Sequence, residues 1–277
     1  MPKRLAYLGP AGTHTEKACL TYDPEATRLP FPSIEAVAAA VESAGADECV
    51  LAIENSLGGS VTDTLDLLIH DSTLFIRHEL ALPITHSLLV KEGTQAEDVK
   101  TVFSHPQALA QCRSYLSKHL GGAQRVASMS TSAAVKEMLQ RGPDAAAIAT
   151  ERAGHLHGAK VLVNGIEDNP NNMTRFVVMA PTDHPHTGAD KTSVCFAFTE
   201  DAPGVLHSVL GEFARRKINL AKIESRPTRE SLGRYIFLVD LEGHRKDPEV
   251  QEALKAVESQ VSMFKTFGSY PRHGPPF

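Results

Sequence analysis

The chain has 277 residues, 42% of them hydrophobic and 22% charged, with a formal net charge of −5. This length is too great for one small core and suits two domains or three small lobes. The mildly acidic balance offers no footing for nucleic acid or an anionic membrane, and no apolar run approaches the ~20 residues of a transmembrane helix.

Leu5-Ala6-Tyr7-Leu8 reads as a short buried strand. Gly9-Pro10 ends that apolar run too early for a signal peptide, despite Lys3 and Arg4. Thr13 opens a helix to about Tyr22 with the capping-box pattern Thr13-x-x-Glu16. A second helix is expected from Ser33 to about Ser43, and Cys49–Ile53 is a second buried strand. Glu54-Asn55-Ser56-Leu57-Gly58-Gly59 follows it, and Ser60 to about His70 reads as a helix started by Ser60 with Asp63. Leu82–Val90 reads as one long strand, with Pro83 near its start suiting an edge or crossover.

A further α/β set runs to about Val163: strand Thr101-Val102-Phe103, a helix from Ser104 with Gln107 three residues on, a helix from Ser130, and strand Ala145–Ala149. Asn171-Asn172-Met173-Thr174-Arg175 then stands directly before the apolar run Phe176–Ala180. If that strand begins at Met173, alternation puts Thr174, Phe176 and Val178 on one face and Arg175 on the other. Polar groups at the mouth of a buried strand are well placed to hold a small polar ligand.

Strand–helix alternation predicts an α/β fold with parallel or mixed sheets. The expected organisation is a two-lobed domain over 1–181, one lobe of about 1–83 with 166–181 and one of about 84–165. Small ligands bind in clefts between such lobes. A Pro-, His- and Gly-rich linker covers 182–190. Residues 191–270 read βαββαβ, the ferredoxin-like unit, with strands Lys191–Thr199, Asn219–Thr228, Arg234–Leu241 and Ser262–Gly268 and helices Pro203–Arg216 and Pro248–Gln260. Residues 271–277 are expected to fray.

Four helix starts, each after a strand (Thr13, Ser60, Ser104 and the hydroxyl cluster Ser128-Met129-Ser130-Thr131-Ser132), would gather free N–H groups and positive helix ends on one side of the sheets. Carboxylates bind at such ends without a metal or a lysine. No GxGxxG or Walker motif is present. His155-x-His157 and His184-x-His186 lack a clear third ligand, so no metal or other cofactor is expected. Cys19, Cys49, Cys112 and Cys195 are far apart with no CxxC pair, which points to reduced thiols in a cytoplasm.

Gly9-Pro10-Ala11-Gly12-Thr13-His14-Thr15-Glu16, Glu54-Asn55-Ser56-x-x-Gly59-Ser60-Val61, Ser104-His105-Pro106-Gln107-Ala108-Leu109-Ala110-Gln111-Cys112 and Asn172-Met173-Thr174-Arg175-Phe176 resemble the four signatures of prephenate dehydratase. Residues 192–270 resemble the ACT regulatory domain that follows it, with Gly204-Val205-Leu206 and Glu224-Ser225-Arg226-Pro227 standing out. Val205 departs from the Ala usual there, and its bulk is expected to alter effector affinity. No chorismate mutase helix is expected, the first catalytic strand beginning at Leu5.

The resemblance implies a periplasmic-binding-protein-like catalytic domain, conversion of prephenate to phenylpyruvate, water and CO2, and feedback by phenylalanine. It implies that Thr174 hydrogen-bonds or protonates the leaving hydroxyl, with Glu54 a relay candidate and Asn55, Ser104 and Gln111 orienting the substrate. Thr13 and nearby N–H groups would take a carboxylate, with Ser56 and Phe176 beside them. Arg175 would either clamp a carboxylate or brace its loop. Gly204, Val205, Leu206, Asn219, Leu220, Glu224, Ser225, Arg226 and Pro227 would hold the effector between subunits of a homodimer or homotetramer. Two alternatives stand beside this reading: arogenate dehydratase, the same chemistry on the aminated substrate, and a non-catalytic aromatic amino-acid sensor.

Overall fold

The computed structural model describes residues 2–200, 202–228 and 233–273. In chain order the elements begin β1 (Arg4–Leu8), α1 (His14–Tyr22), β2 (Thr27–Phe31), α2 (Ile34–Glu42), β3 (Glu48–Asn55), β4 (Gly59–Ser60) and α3 (Thr62–Asp66). A π-helical turn, Leu67–Asp71, leads into β5 (Phe75–Pro83) and β6 (Ser87–Val90). Then come β7 (Thr101–Ser104), α4 (Pro106–Gln111), α5 (Arg113–His119), β8 (Gln124–Ala127), α6 (Thr131–Arg141), β9 (Ala145–Ala149), α7 (Glu151–His157), β10 (Lys160–Asn164) and β11 (Met173–Ala180). The last part is β12 (Asp190–Ala197), α8 (Val205–Arg215), β13 (Leu220–Pro227), β14 (Tyr235–Glu242), α9 (Pro248–Glu258) and β15 (Met263–Pro271).

Three sheets result, in the orders β2-β1-β3-β11-β5 with β4 on β3, β10-β6-β9-β7-β8, and β13-β14-β12-β15. By contact density the chain forms two compact units. One comprises Met1–Val37, Val50–Val61 and Ala81–Phe176, the other Ala38–Cys49, Thr62–Leu80 and Val177–Phe277.

The second sheet lies wholly in the first unit, and its central strands β6, β9 and β7 are buried along their whole length because both faces are covered. Leu88, Val90, Val102, Ala146 and Ile148 pack on Ala108, Cys112 and Leu116. The alternate residues Leu89, Phe103, Ala145 and Ala147 pack on Ala134, Val135, Met138 and Ala153. In the second unit, Val194 and Phe196 of β12 face Val209 and Phe213 of α8 and Val250, Leu254 and Val257 of α9. This is the antiparallel ferredoxin-like layer that the βαββαβ order predicts. Gly268 in β15 takes φ +139, and a Cβ there would meet Ile76 O at 2.2 Å, so that close approach requires glycine. All four cysteines are buried and free, and no helix among the described residues is long and apolar enough to cross a membrane.

Several expectations are corrected. The helix placed at Ser60 starts at Thr62, because Gly59 (φ +74) folds the chain back and Ser60 pairs with Glu54 in a two-residue ladder. The helical run reaches His70 as expected but widens into the π turn over Leu67–Asp71. Leu82–Val90 is not one strand: β5 ends at Pro83, and Ile84–His86 carry the chain to β6 in the other sheet. The helix placed from Ser104 begins at Pro106, since Ser104 still belongs to β7, and it breaks at Cys112. β2, unread in the sequence, contains Pro30 and lies at a sheet edge, where a missing N–H is tolerated. The tail is held as far as His273, with Pro271 paired to Asp190 and Arg272 N–H on Ala189 O. The remainder of the expected fray, 274–277, lies outside the described residues.

Candidate active site

A cavity of about 930 Å³ opens within the first unit. Its wall is built from the β1–α1 loop (Gly9, Pro10, Thr13, His14), from Ala52 and Asn55 of β3, and from His105, Gln107 and Gln111 at α4. Ser130 and Thr131 at the start of α6, and Thr174 and Phe176 of β11, complete it. Among the described residues, no Lys, Arg, Asp or Glu lines it. The N-termini of α1 and α6, the positive ends of those helices, open onto it instead. Thr13 caps the first, accepting from Glu16 N–H at 3.3 Å. Ser130 caps the second, accepting from Ala133 N–H at 3.0 Å.

Thr174 and Phe176 face the cavity and Arg175 does not, as alternation from Met173 predicts. Asn55 organises this corner. Its Nδ2, with two hydrogens, lies 2.9 Å from Thr174 Oγ1, 2.7 Å from Asn172 Oδ1 and 3.1 Å from Met173 O, so one N–H is shared between two of these acceptors. Its Oδ1 accepts from Leu57 and Gly58 N–H at 3.1 and 2.8 Å. Because Thr174 Oγ1 accepts from Asn55, its own O–H is left to donate into the cavity.

The β1–α1 loop is pinned from behind. Ser132 Oγ and Thr150 Oγ1 donate to Ala11 O and Gly12 O, each at 2.6 Å. Gly12 has φ +88, and a Cβ there would meet Ala153 Cα at 2.9 Å, so glycine is required. Glu16 is buried and does not close the expected capping box on Thr13. Its Oε2 accepts from Gly12 N–H at 2.7 Å, and Arg152 grips both oxygens at 2.7 and 2.8 Å. Burial alone would raise this carboxyl, but Arg152, the Gly12 N–H and Arg28 outweigh it and hold its pKa below the ordinary range.

Sequence reading missed two histidines. His86 Nε2 lies 2.9 Å from Gln111 Oε1. The His14 ring stands edge-on to His86, with centroids 5.6 Å apart. Burial first, then His86 and Lys17, push His14 down to about 3. Burial likewise lowers His86, against Gln111 and Glu167. Both rings are therefore neutral near pH 7. Gln107 and Gln111 share a helix face and both line the cavity, as their spacing predicts. His105 is the N-cap of α4, its Nδ1 accepting from Gln107 N–H.

Other signature residues serve the scaffold. Glu54 and Arg175 form an ion pair at 3.1 Å and neither lines the cavity, which favours the bracing role for Arg175. Ser56 ties its loop to β11, its N–H on Met173 O at 2.8 Å and its Oγ accepting from Met173 N–H at 2.9 Å. Ser104 is fully buried and gives its hydroxyl to Ile148 O at 2.6 Å.

In the second unit, Gly204 (φ +92) is the N-cap of α8, and Val205 is that helix's first residue. Leu206 and Leu220 pack on the ACT-like core, and Asn219 O accepts from Glu242 N–H. Glu224 pairs with Lys222 at 3.1 Å. Arg226 reaches Asp66 at 3.3 Å and Thr62 O at 3.2 Å. Ser225 and Pro227 are exposed. Leu220 and Pro227 end the same strand, roughly 20 Å apart at ~3.3 Å per residue. One copy of the chain thus splits the expected effector residues into two groups.

Residues 5–184 match the prephenate dehydratase family and residues 193–259 the ACT domain. Prephenate dehydratase of Mycolicibacterium vanbaalenii is 39% identical over 96% of this chain and 90% of its own. The solved structure of prephenate dehydratase from Arthrobacter aurescens in complex with L-Phe is 36% identical, with TM-score 0.88, covering 97% of this chain and 90% of that one. The solved structure of GqqA, described as a novel type of quorum-quenching acylase, is 30% identical with TM-score 0.86, covering 97% and 98%. The chain belongs to the prephenate dehydratase family, with an ACT domain following the catalytic part.

Proposed function

We propose that this chain converts prephenate to phenylpyruvate, water and CO2 under control by phenylalanine, with Thr174 assisting departure of the ring hydroxyl. The observation that carries the reading is the Asn55–Thr174 hydrogen bond at the cavity wall, which frees the threonine O–H to donate. Loss of the ring carboxylate as CO2 sends its electron pair into the ring, aromatisation supplies driving force, and the C4 hydroxyl leaves toward Thr174. Asn55 polarises Thr174. Gln111 and Gln107 orient the substrate by neutral hydrogen bonds, and the starts of α1 and α6 take a carboxylate. A wall without Lys or Arg leaves the ring carboxylate without an ion-pair partner, which promotes its loss.

Among the described residues of the cavity wall, no hydroxyl is hydrogen-bonded to a histidine; Ser132, just behind the wall, lies 3.2 Å from His157 Nε2 but gives its proton to Ala11 O at 2.6 Å. The nucleophile–base pair that acyl transfer calls for is therefore not in evidence there, and the lyase is the better reading.

For control, we propose that phenylalanine binds between ACT domains of two copies, Gly204–Leu206 of one meeting Glu224–Pro227 of the other. β13 is an edge strand whose Ala221, Ile223, Ser225 and Pro227 are exposed, Ile223 at 48%, which suits a partner strand. Arg226 grips α3, which follows the Asn55–Val61 segment in sequence, and so offers a route for coupling. The test is phenylpyruvate formation by purified protein, with and without phenylalanine, corrected for acid-catalysed background. Turnover altered by phenylalanine is expected. Turnover of arogenate alone would move the assignment to the aminated substrate, and turnover of neither would favour the sensor.

A further inference from the structure

We infer that His86 is a positioning residue that fixes the Gln111 carboxamide with its NH2 group turned into the cavity, where it meets an oxygen of the anionic substrate. The inference rests on the prephenate reading above.

The backbones of the two residues are locked by one segment. His86 N–H donates to Glu167 Oε2 at 2.8 Å, Gly165 and Ile166 N–H both donate to His86 O at 3.0 Å, and Asp168 N–H donates to Gln111 O at 2.8 Å. The imidazole is 2% exposed, and its Nε2 lies 2.9 Å from Gln111 Oε1. A carboxamide oxygen only accepts, so in this arrangement Nε2 carries the proton and Nδ1 is bare. Nδ1 is buried and has no hydrogen-bond partner among the described residues. With the amide turned over, Nε2 would have to accept, and the proton would sit on Nδ1 as a buried donor with nothing to receive it. An orphaned buried N–H is rarer and costlier than a bare acceptor. The His86 tautomer and the Gln111 orientation therefore select each other. The His14 ring packs edge-on against the His86 ring, centroids 5.6 Å apart.

The outcome is a donor aimed into a cavity wall that holds no Lys or Arg. A dianionic substrate calls for that sign of dipole, and a Gln free to flip would offer it only part of the time.

The test is a double-mutant cycle on prephenate turnover with His86→Phe, Gln111→Met and the pair, backed by thermal unfolding of each and by ¹⁵N NMR of the wild-type imidazoles. Each single variant should lower kcat/KM by roughly tenfold, the scale of one hydrogen bond, and the double variant should be no worse than Gln111→Met alone. The ¹⁵N shifts should show His86 protonated at Nε2 and bare at Nδ1 at neutral pH. Losses that multiply in the double variant, or the opposite tautomer, would overturn the inference while leaving the assigned reaction standing. An active enzyme indifferent to Gln111→Met would do the same. A wild-type protein without prephenate turnover would remove the reaction first and the inference with it.

Discussion

The cavity wall of the first unit and the packed interior of the second hold charge in opposite ways. In the first, cations and carboxylates are held off the cavity: Arg152 is occupied by Glu16 and Arg175 by Glu54, and the polar part of the described wall is neutral side chains and helix starts among apolar residues such as Phe31, Ile84 and Phe176. In the second, charges are buried as pairs. Lys191 Nζ lies 2.8 and 3.1 Å from the two oxygens of Glu79, with the residues 6% and 2% exposed. Arg245 meets Asp183 at 2.8 Å. A binding wall needs dipoles whose direction can be set, whereas a packed interior needs charges that cancel. The same residue types therefore serve unlike ends.

The largest effect is expected where cancellation is undone. Lys191→Met strands a buried Glu79 carboxylate and should cost about 3 kcal/mol in urea unfolding. His273 N–H still serves one Glu79 oxygen at 3.1 Å, which keeps the loss at the low end. An unchanged urea midpoint would show the pair to be idle.

Next comes a charge placed where none belongs. Asn55→Asp keeps the shape but turns a donor toward Asn172 Oδ1, Met173 O and Thr174 Oγ1 into an acceptor. It should lower kcat/KM by roughly 10² or more. Steady-state kinetics close to wild type would remove Asn55 from the mechanism.

Arg152→Met should cost about 1–3 kcal/mol, because Glu16 keeps only Gly12 N–H and a distant Arg28 at 3.8 Å. The Glu16 carboxyl is depressed in the folded state, so its contribution is present above the ordinary carboxylate pKa and lost as pH falls through the folded value. The variant's deficit should accordingly shrink in acid, and a deficit constant with pH would assign the loss to packing.

The smallest effect is a slope. His14 falls from 6.5 unfolded to about 3 folded. Between those values the unfolded chain binds the extra proton, so stability declines as pH drops from about 6.5 toward about 3. His14→Phe should flatten that decline in denaturation midpoints measured across the window, and an unaltered slope would place it on other groups.

Much of this was legible in the primary structure, for reasons that can be named. Period-2 alternation alone placed Thr174 and Phe176 on one face and Arg175 on the other, and i, i+4 spacing placed Gln107 with Gln111. The βαββαβ order was readable because each element carries its own apolar period. What failed were partner choices. A serine in a signature can serve substrate or scaffold, and only the position of Ile148 O decides for Ser104. Thr13-x-x-Glu16 matches a capping box, yet Arg152, far along the chain, claims the carboxylate. His86 sat inside what reads as one strand. Its meaning depends on the break after Pro83 and on Gln111, 25 residues away.

The central claim is that the Thr174 hydroxyl, polarised by Asn55, drives departure of the substrate hydroxyl. The most direct test is single-turnover kinetics of Thr174→Val, which keeps the side chain's shape and removes the hydroxyl, both as donor and as an acceptor for Asn55, whose N–H groups keep Asn172 Oδ1 and Met173 O. The account predicts a chemical step slowed at least tenfold, toward the ~10²–10⁴ range of general acid assistance, with unfolding unchanged. A chemical step near the wild-type rate in a folded Thr174→Val enzyme would contradict it.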